Sequence, residues 1–445
     1  MPSPSYGILV ATLIAAPLAA QQLGPIERAR LAAGIWAEAR YNAPAWEGVR
    51  SKWDSAFADL LAAAMARESV RTPQRHSDLA YYRRLRRFVA LLSDGQAAIE
   101  PPAALGARVA RPPMVLRSVE RRPFLVDYVE NDEMRVARPQ RNAEIVAVQG
   151  VPVDQWIRDS VLPEVAAATV ASRWDRAVAR MLEGDKGTAV HLQLRLPGGE
   201  QRGASVTRSV SLTDRWPLTA PALHVDTLPD RIIWVRVTSF GDRDVARALD
   251  RAFADFTGVR GLILDLRDND GADGGRETGY AMLGRLVARP LVTSRWRTPQ
   301  YRPAYRGQDM PDSTGAWLSA PPDSIPPRRD LPAFAGPLAV LASSRTGGAA
   351  EAVLIAFRNS GRGPILGDVS AGSPGQVGQF PVYRDWRLRL TVTRDAFPDG
   401  TEIQGLGVAP EIPVEERVAD LLAGRDAALE RARQYVAGAL KPHSP

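Results

Sequence analysis

The sequence predicts an α/β protein with a layered core over residues 221–415, preceded by a helical part and a β-rich module. Three observations predict this. Leu262–Leu266 and Leu338–Ala342 are almost continuous apolar runs, as expected of strands buried on both faces, and each ends in a turn that feeds a helix. Before residue 100, apolar residues recur at spacings of three and four. Between residues 108 and 215 the pattern changes to short alternating strands bounded by glycine and proline turns.

The helical part begins after an apolar stretch, Tyr6–Ala16, which is followed by Pro17-Leu18-Ala19-Ala20 and the polar Gln21-Gln22. Such a run is too short to span a bilayer and ends in small residues, so residues 1–20 read as an export signal. Three helices are expected around Ile35–Ala39, Phe57–Ala62 and Tyr81–Leu92, the last stopping at Ser93-Asp94-Gly95. They make up a helical segment at 25–107. In the β-rich segment, 108–215, Ala143–Val148 reads as a strand, Gln149–Pro152 as a turn, and a helix follows near Asp154. Gly184–Gly187 is a turn before a further strand that carries His191. Neither this turn nor Gly198-Gly199 leads into a helix with the lysine that a phosphate loop requires.

In the core, Arg231–Val237 reads as a strand and Asp244–Phe256 as an amphipathic helix. Residues 298–336 are rich in proline and polar side chains and read as a long surface excursion, a length uncommon unless it serves a function. Val414–Leu440 closes the chain as an amphipathic helical region, leaving a C-terminal helix and tail at 416–445.

Composition narrows the chemistry. The chain has 445 residues, enough for two or three domains with their own cores. Net charge is +7, carried almost wholly by arginine, because lysine occurs only at Lys52, Lys186 and Lys441. The arginines are scattered, often beside Asp or Glu, and form no stripe with interleaved aromatics; nucleic acid is not the expected partner. There is no cysteine, which excludes disulfides, thiol catalysis and cysteine–metal sites. No histidines and carboxylates stand at metal-ligand spacing, so neither metal nor cofactor is expected.

The segments Gly261–Gly271 and Leu338–Glu351 together resemble the catalytic core of the tail-specific, or C-terminal processing, serine peptidases, a family that includes the tricorn core and the retinoid-binding modules. The resemblance covers about residues 30–415. It implies a layered core like those of the crotonase and Clp protease folds, and a PDZ-like character for the β-rich module, whose strand edge would accept an extended peptide.

The resemblance also places the catalytic positions, and here the chain departs from the family. The nucleophilic serine would stand three residues before Glu351, and Gly348 is there. The histidine that follows Asp-Gly in the tricorn-like branch is replaced by Gln96, which cannot take a proton. The lysine of the second branch falls at Ser373, and no lysine occurs between Lys186 and Lys441. The glutamate before the closing glycine-rich segment matches Gln404, with Glu402 two residues away. Backbone oxyanion donors would come from the turn at Gly271 and Ala272 and from the amide of Ala349. The following Asp273-Gly274-Gly275 departs from the family pattern and is expected to reshape the entrance to the pocket.

Every proton carrier and the nucleophile are thus missing from their expected positions. The reading is an exported homologue that binds peptides or protein termini without cleaving them. The alternatives are an active hydrolase using Ser343, Ser344, Ser370 or Ser373 with Glu402 or His224, and a carrier of a small apolar ligand.

Overall fold

The computed structural model describes residues 22–44, 46–66, 77–241, 243–254, 258–272, 274–301, 316–328 and 333–439. The expected export signal at 1–20, Asp273, and parts of the expected excursion at 302–315 and 329–332 lie outside the described residues.

The core is a six-stranded sheet in the order Leu223–Leu228, Ile232–Val237, Gly261–Asp265, Leu338–Ala342, Ile365–Gly367, Ile412–Pro413. The first pair is antiparallel and the remaining pairs are parallel. Because side chains alternate across a strand, Leu262, Leu264 and Val340 face one layer of helices while Ile263, Ala339 and Leu341 face the other. The first layer holds Arg243–Ala254, Arg276–Leu283 and Gly348–Ser360; the second is Ala427–Ala439. Both central strands are fully buried, which accounts for their unbroken apolar sequence.

The three N-terminal helices are Pro25–Asn42, Trp46–Met65 and Asp78–Ala90. Ser77 caps the third by accepting the Ala80 amide at 3.2 Å. Trp53 stacks on Phe88 with centroids 3.7 Å apart. Their core is not self-contained: it includes Trp386, Leu388 and Leu390 from the hairpin Val377–Tyr383 and Trp386–Thr391. The short strand Ala98–Glu100 extends that hairpin by pairing antiparallel with Trp386–Thr391. Long-range pairing of this kind carries the Asp94–Gln96 turn across the molecule to the core.

The β-rich module orders Met114–Val119, Arg122–Tyr128, Ala143–Val148, Ala189–Arg195 and Gln201–Thr207 as antiparallel neighbours. Helix Val170–Arg180 packs Trp174, Ala177 and Val178 against it. The described part of the expected excursion is not irregular throughout. Ala316–Ala320 pairs with Arg295–Gln300, which also pairs with Arg394–Ala396. No helix among the described residues is long and apolar enough to cross a membrane.

Candidate functional site

Strands Gly261–Asp265 and Leu338–Ala342 run parallel with Asp265 opposite Leu341, so the turns that follow them emerge side by side at the carboxyl edge of the sheet. Crevices at this edge are where open α/β sheets bind ligands. The two turns are tied together. Thr346 Oγ1 donates to Leu266 O at 2.9 Å, Ser343 Oγ to Arg267 O at 2.7 Å, and Gly347 N to Asn269 O at 3.0 Å. Gly271 lies directly on the second turn: a Cβ there would stand 2.3 Å from both Ala349 N and Gly347 O. Only glycine fits this approach.

Gly348 opens helix Gly348–Ser360 at φ +49, in the left-handed region. Gln96 is completely buried against it. A Cβ on Gly348 would lie 2.7 Å from Gln96 Nε2 and 2.9 Å from Gly271 O. The Gln96 amide therefore occupies the space into which a side chain at 348 would project. It is held by donating from Nε2 to Asp270 O at 3.2 Å, while its Oε1 is buried without a partner among the described residues.

The loop that presents Gln96 is fixed by residues that sequence reasoning passed over. The buried Asp94 carboxylate accepts Gln96 N at 2.9 Å, Thr391 N at 2.8 Å and Thr391 Oγ1 at 2.7 Å. Arg389 Nε donates to Gln96 O at 3.0 Å, and Arg176 donates to Gly95 O. The sequence marks Asp94-Gly95 as a helix-ending turn and, through the family resemblance, as the pair preceding the Gln96 position; nothing local predicts partners on residues 176, 389 and 391.

Ser373 packs on the same loop. Its Oγ accepts Gly95 N at 2.9 Å, and its own amide donates to Glu351 Oε2 at 2.8 Å. Glu351 is fully buried and also accepts Gly372 N at 2.6 Å and the Ser370 hydroxyl. Burial pushes its carboxyl up to about 7, against the pull of these donors. Ser370 Oγ in turn accepts Val408 N at 2.7 Å. Gln404 lies in the neighbouring turn, where Gly405 N donates to Gly372 O at 2.8 Å. Its Oε1 is buried without a partner, and no hydrogen bond links it to Gln96 or Gly348 among the described residues.

The other candidates are committed elsewhere. Ser343 is engaged in the paired turns as described. Ser344 donates to the Asp175 carboxylate of helix Val170–Arg180, whose pKa burial raises. Glu402 is ion-paired with Arg297 at 2.9 Å and Arg394 at 3.1 Å. His224 is exposed on the first strand of the sheet, its ring beside Trp234, with two strands between it and Leu338–Ala342.

The expected backbone donors differ in availability. Gly271 N already donates to Asn269 Oδ1 at 3.1 Å and Ala272 N to Asp270 Oδ1 at 3.1 Å, so these two amides serve their own turn. Ala349 N sits in the first turn of its helix, where amides have no intrahelical acceptor. Ala349 and Gly271 border a cleft of about 530 Å³ whose wall includes Arg276, Tyr280, Trp296 and Gln376. Burial pushes the Tyr280 hydroxyl up to about 12. No group of three His, Cys, Asp or Glu side chains among the described residues is placed to hold a metal ion.

Residues 231–414 match peptidase family S41. The chain matches this family over less than half of its length. It is 29% identical over 256 residues to a chloroplastic C-terminal processing peptidase of Tetradesmus obliquus, covering 54% of this chain and 49% of that protein. It is 26% identical over 246 residues to carboxyl-terminal-processing peptidase 2 of Arabidopsis thaliana, covering 53% and 42%. The matched segment thus spans about half the length of these curated relatives. Among solved structures, mature CPAF superposes with a TM-score of 0.68 at 15% identity, over 95% of this chain and 99% of CPAF. CPAF complexed with lactacystin gives 0.67, also at 15% identity, over 94% and 99%. The likeness extends the fold beyond the matched family segment to the helical part and the β-rich module.

Proposed function

We propose that this S41 domain is a binding protein for peptides or protein termini that has given up hydrolysis. One observation carries the reading: the space in front of Gly348 is filled by the Gln96 amide and by Gly271 O, so the position offers neither a nucleophile nor room for one. An acyl-transfer site needs an attacking group with a base beside it. Glycine and glutamine supply neither. Around them, the hydroxyls of Ser343, Ser344 and Ser370 donate to Arg267 O, Asp175 and Glu351, and that of Ser373 accepts Gly95 N. Glu402 is neutralised by two arginines and bonds none of these serines, which argues against a displaced serine–glutamate pair.

The Ala349 amide at the edge of the cleft and the terminal place of strand Met114–Val119 in its sheet support retained peptide binding. The second feature also supports a PDZ-like character for the module. The names of the curated relatives, which are C-terminal processing peptidases, support polypeptide termini as the ligand class. The apolar run at residues 6–16 supports export. The cleft beside Ala349 has charged residues, Arg276 and Glu277, in its wall, which favours peptide over a small apolar ligand.

The test pairs two measurements on the full chain: cleavage of an unfolded reporter protein, and binding of a fluorescent peptide corresponding to its C-terminus. Saturable binding without cleavage is expected. Turnover of the reporter by the unmodified chain would overturn the proposal.

A further inference from the structure

We infer that the groove between the N-terminal helices and the β-rich module is a docking site for acidic, partly apolar extended peptide segments, separate from the S41 cleft. This groove, of about 1250 Å³, has an apolar floor of the partly exposed Ala56, Ala80, Leu91 and Pro163. Its rim carries six cations, Lys52, Arg83, Arg84, Arg87, Arg108 and Arg173, against the carboxylates of Asp59 and Asp185. Two of the cations are partly satisfied: Arg83 pairs with Asp185 at 3.1 Å and Arg87 with Glu164 at 3.4 Å. Lys52, Arg84 and Arg108 are exposed and make no ion pair among the described residues. They converge on one hollow from three elements: helix Trp46–Met65, helix Asp78–Ala90 and the segment entering strand Val109–Arg111.

Unpaired cations placed around an apolar floor are complementary to a ligand carrying both carboxylates and apolar side chains. The alternatives fit less well. Single-stranded nucleic acid binds through exposed aromatic faces, and the aromatic ring in this groove, Phe88, is 3% exposed. A bilayer surface needs a projecting face, whereas these cations line a recess. An extended peptide satisfies the charge pattern and the concavity together.

The groove also adjoins the Gln96 loop. Ser93 lines it, and Gln96 is three positions further along the chain, a reach of at most about 11 Å. The groove requires nothing of the S41 cleft.

The experiment uses the full chain and a fluorescein-labelled peptide of alternating glutamate and leucine, followed by anisotropy at low and high salt. The glutamine–leucine counterpart is the neutral control. The acidic peptide should bind more tightly than the neutral one, and its affinity should fall as salt rises, because exposed charges are screened. Reversing two rim charges, Arg84→Glu with Arg108→Glu, should weaken binding at least about tenfold, or about 1.4 kcal/mol. The melting temperature should not move, since neither side chain makes an ion pair. Gln376→Trp, which obstructs the S41 cleft instead, should leave this binding intact, so failure here and failure of the cleft proposal are told apart. Equal affinity for both peptides, or an acidic-peptide affinity unchanged by the double reversal, would overturn the assignment. Tighter capture of a single-stranded oligonucleotide or of phosphatidylglycerol vesicles would overturn it as well.

Discussion

Placing a serine at position 348 should destabilise the protein, and the cost should depend on Gln96. The backbone there has φ +49, and giving such a residue a Cβ costs roughly 1–2 kcal/mol. The new Cβ would also sit 2.7 Å from Gln96 Nε2, so the amide must leave Asp270 O, to which it now donates at 3.2 Å. Losing that hydrogen bond and stranding a buried donor adds about 1–2 kcal/mol. Gly348→Ser should therefore cost about 2–4 kcal/mol in all. Removing the obstructing amide first, with Gln96→Ala, should lower the cost of Gly348→Ser by about 1–2 kcal/mol, a coupling that contacting residues commonly show. The assay is urea unfolding of the parent, both single variants and the double variant, compared through the same transition at equal m-values. A Gly348→Ser cost below about 0.5 kcal/mol, the range of an innocuous surface change, would refute the packing argument. Additive costs would show that the two positions do not share one space.

Three further outcomes follow from the same geometry. Burial holds the Glu351 carboxyl at about 7, above its ordinary value of 4.5, so between those limits the folded chain keeps a proton that the unfolded chain releases. Its contribution is present in full below pH 4.5 and is lost as pH rises through 7, amounting to about 3 kcal/mol, and Glu351→Gln should flatten that slope in pH-dependent denaturation. Asp94→Ala removes the acceptor of Gln96 N, Thr391 N and Thr391 Oγ1, and should cost about 2–4 kcal/mol and loosen the loop, seen as faster amide exchange at residues 94–97. Restoring family-like groups with Gly348→Ser, Gln96→His and Gln404→Glu together should give at most weak reporter cleavage, because the Gly271 and Ala272 amides already serve their own turn; cleavage at the level of an ordinary peptidase would show that the oxyanion donors are free.

Much of the core was legible in the sequence because its strands are buried on both faces. Leu262–Leu266 and Leu338–Ala342 announce themselves as apolar runs, and the turns after them as glycine clusters. The family resemblance places Gln96, Gly348 and Gln404 together; the structure brings Gln96 and Gly348, 252 positions apart, into contact, while no hydrogen bond links Gln404 to either among the described residues. What stayed hidden was the scaffolding at long sequence separation. Trp386, Leu388 and Leu390 complete the core of helices that begin at Pro25, yet their pattern reads only as an ordinary strand. Asp94 looks like a turn residue until Thr391 is brought to it by the pairing of Ala98–Glu100 with Trp386–Thr391. The occupied state of the Gly271 and Ala272 amides was equally invisible, since it depends on the rotamers of Asn269 and Asp270 rather than on residue types. The basic groove escaped notice because its cations come from three separate segments, none of them a basic run.

The most direct test of the central claim is intact-mass analysis of the unmodified chain after exposure to a serine-directed fluorophosphonate, with a portion of the same preparation used to measure binding of a C-terminal peptide. The account predicts saturable peptide binding with no mass added to the chain. A stoichiometric adduct mapped to any serine of residues 231–414 would contradict it.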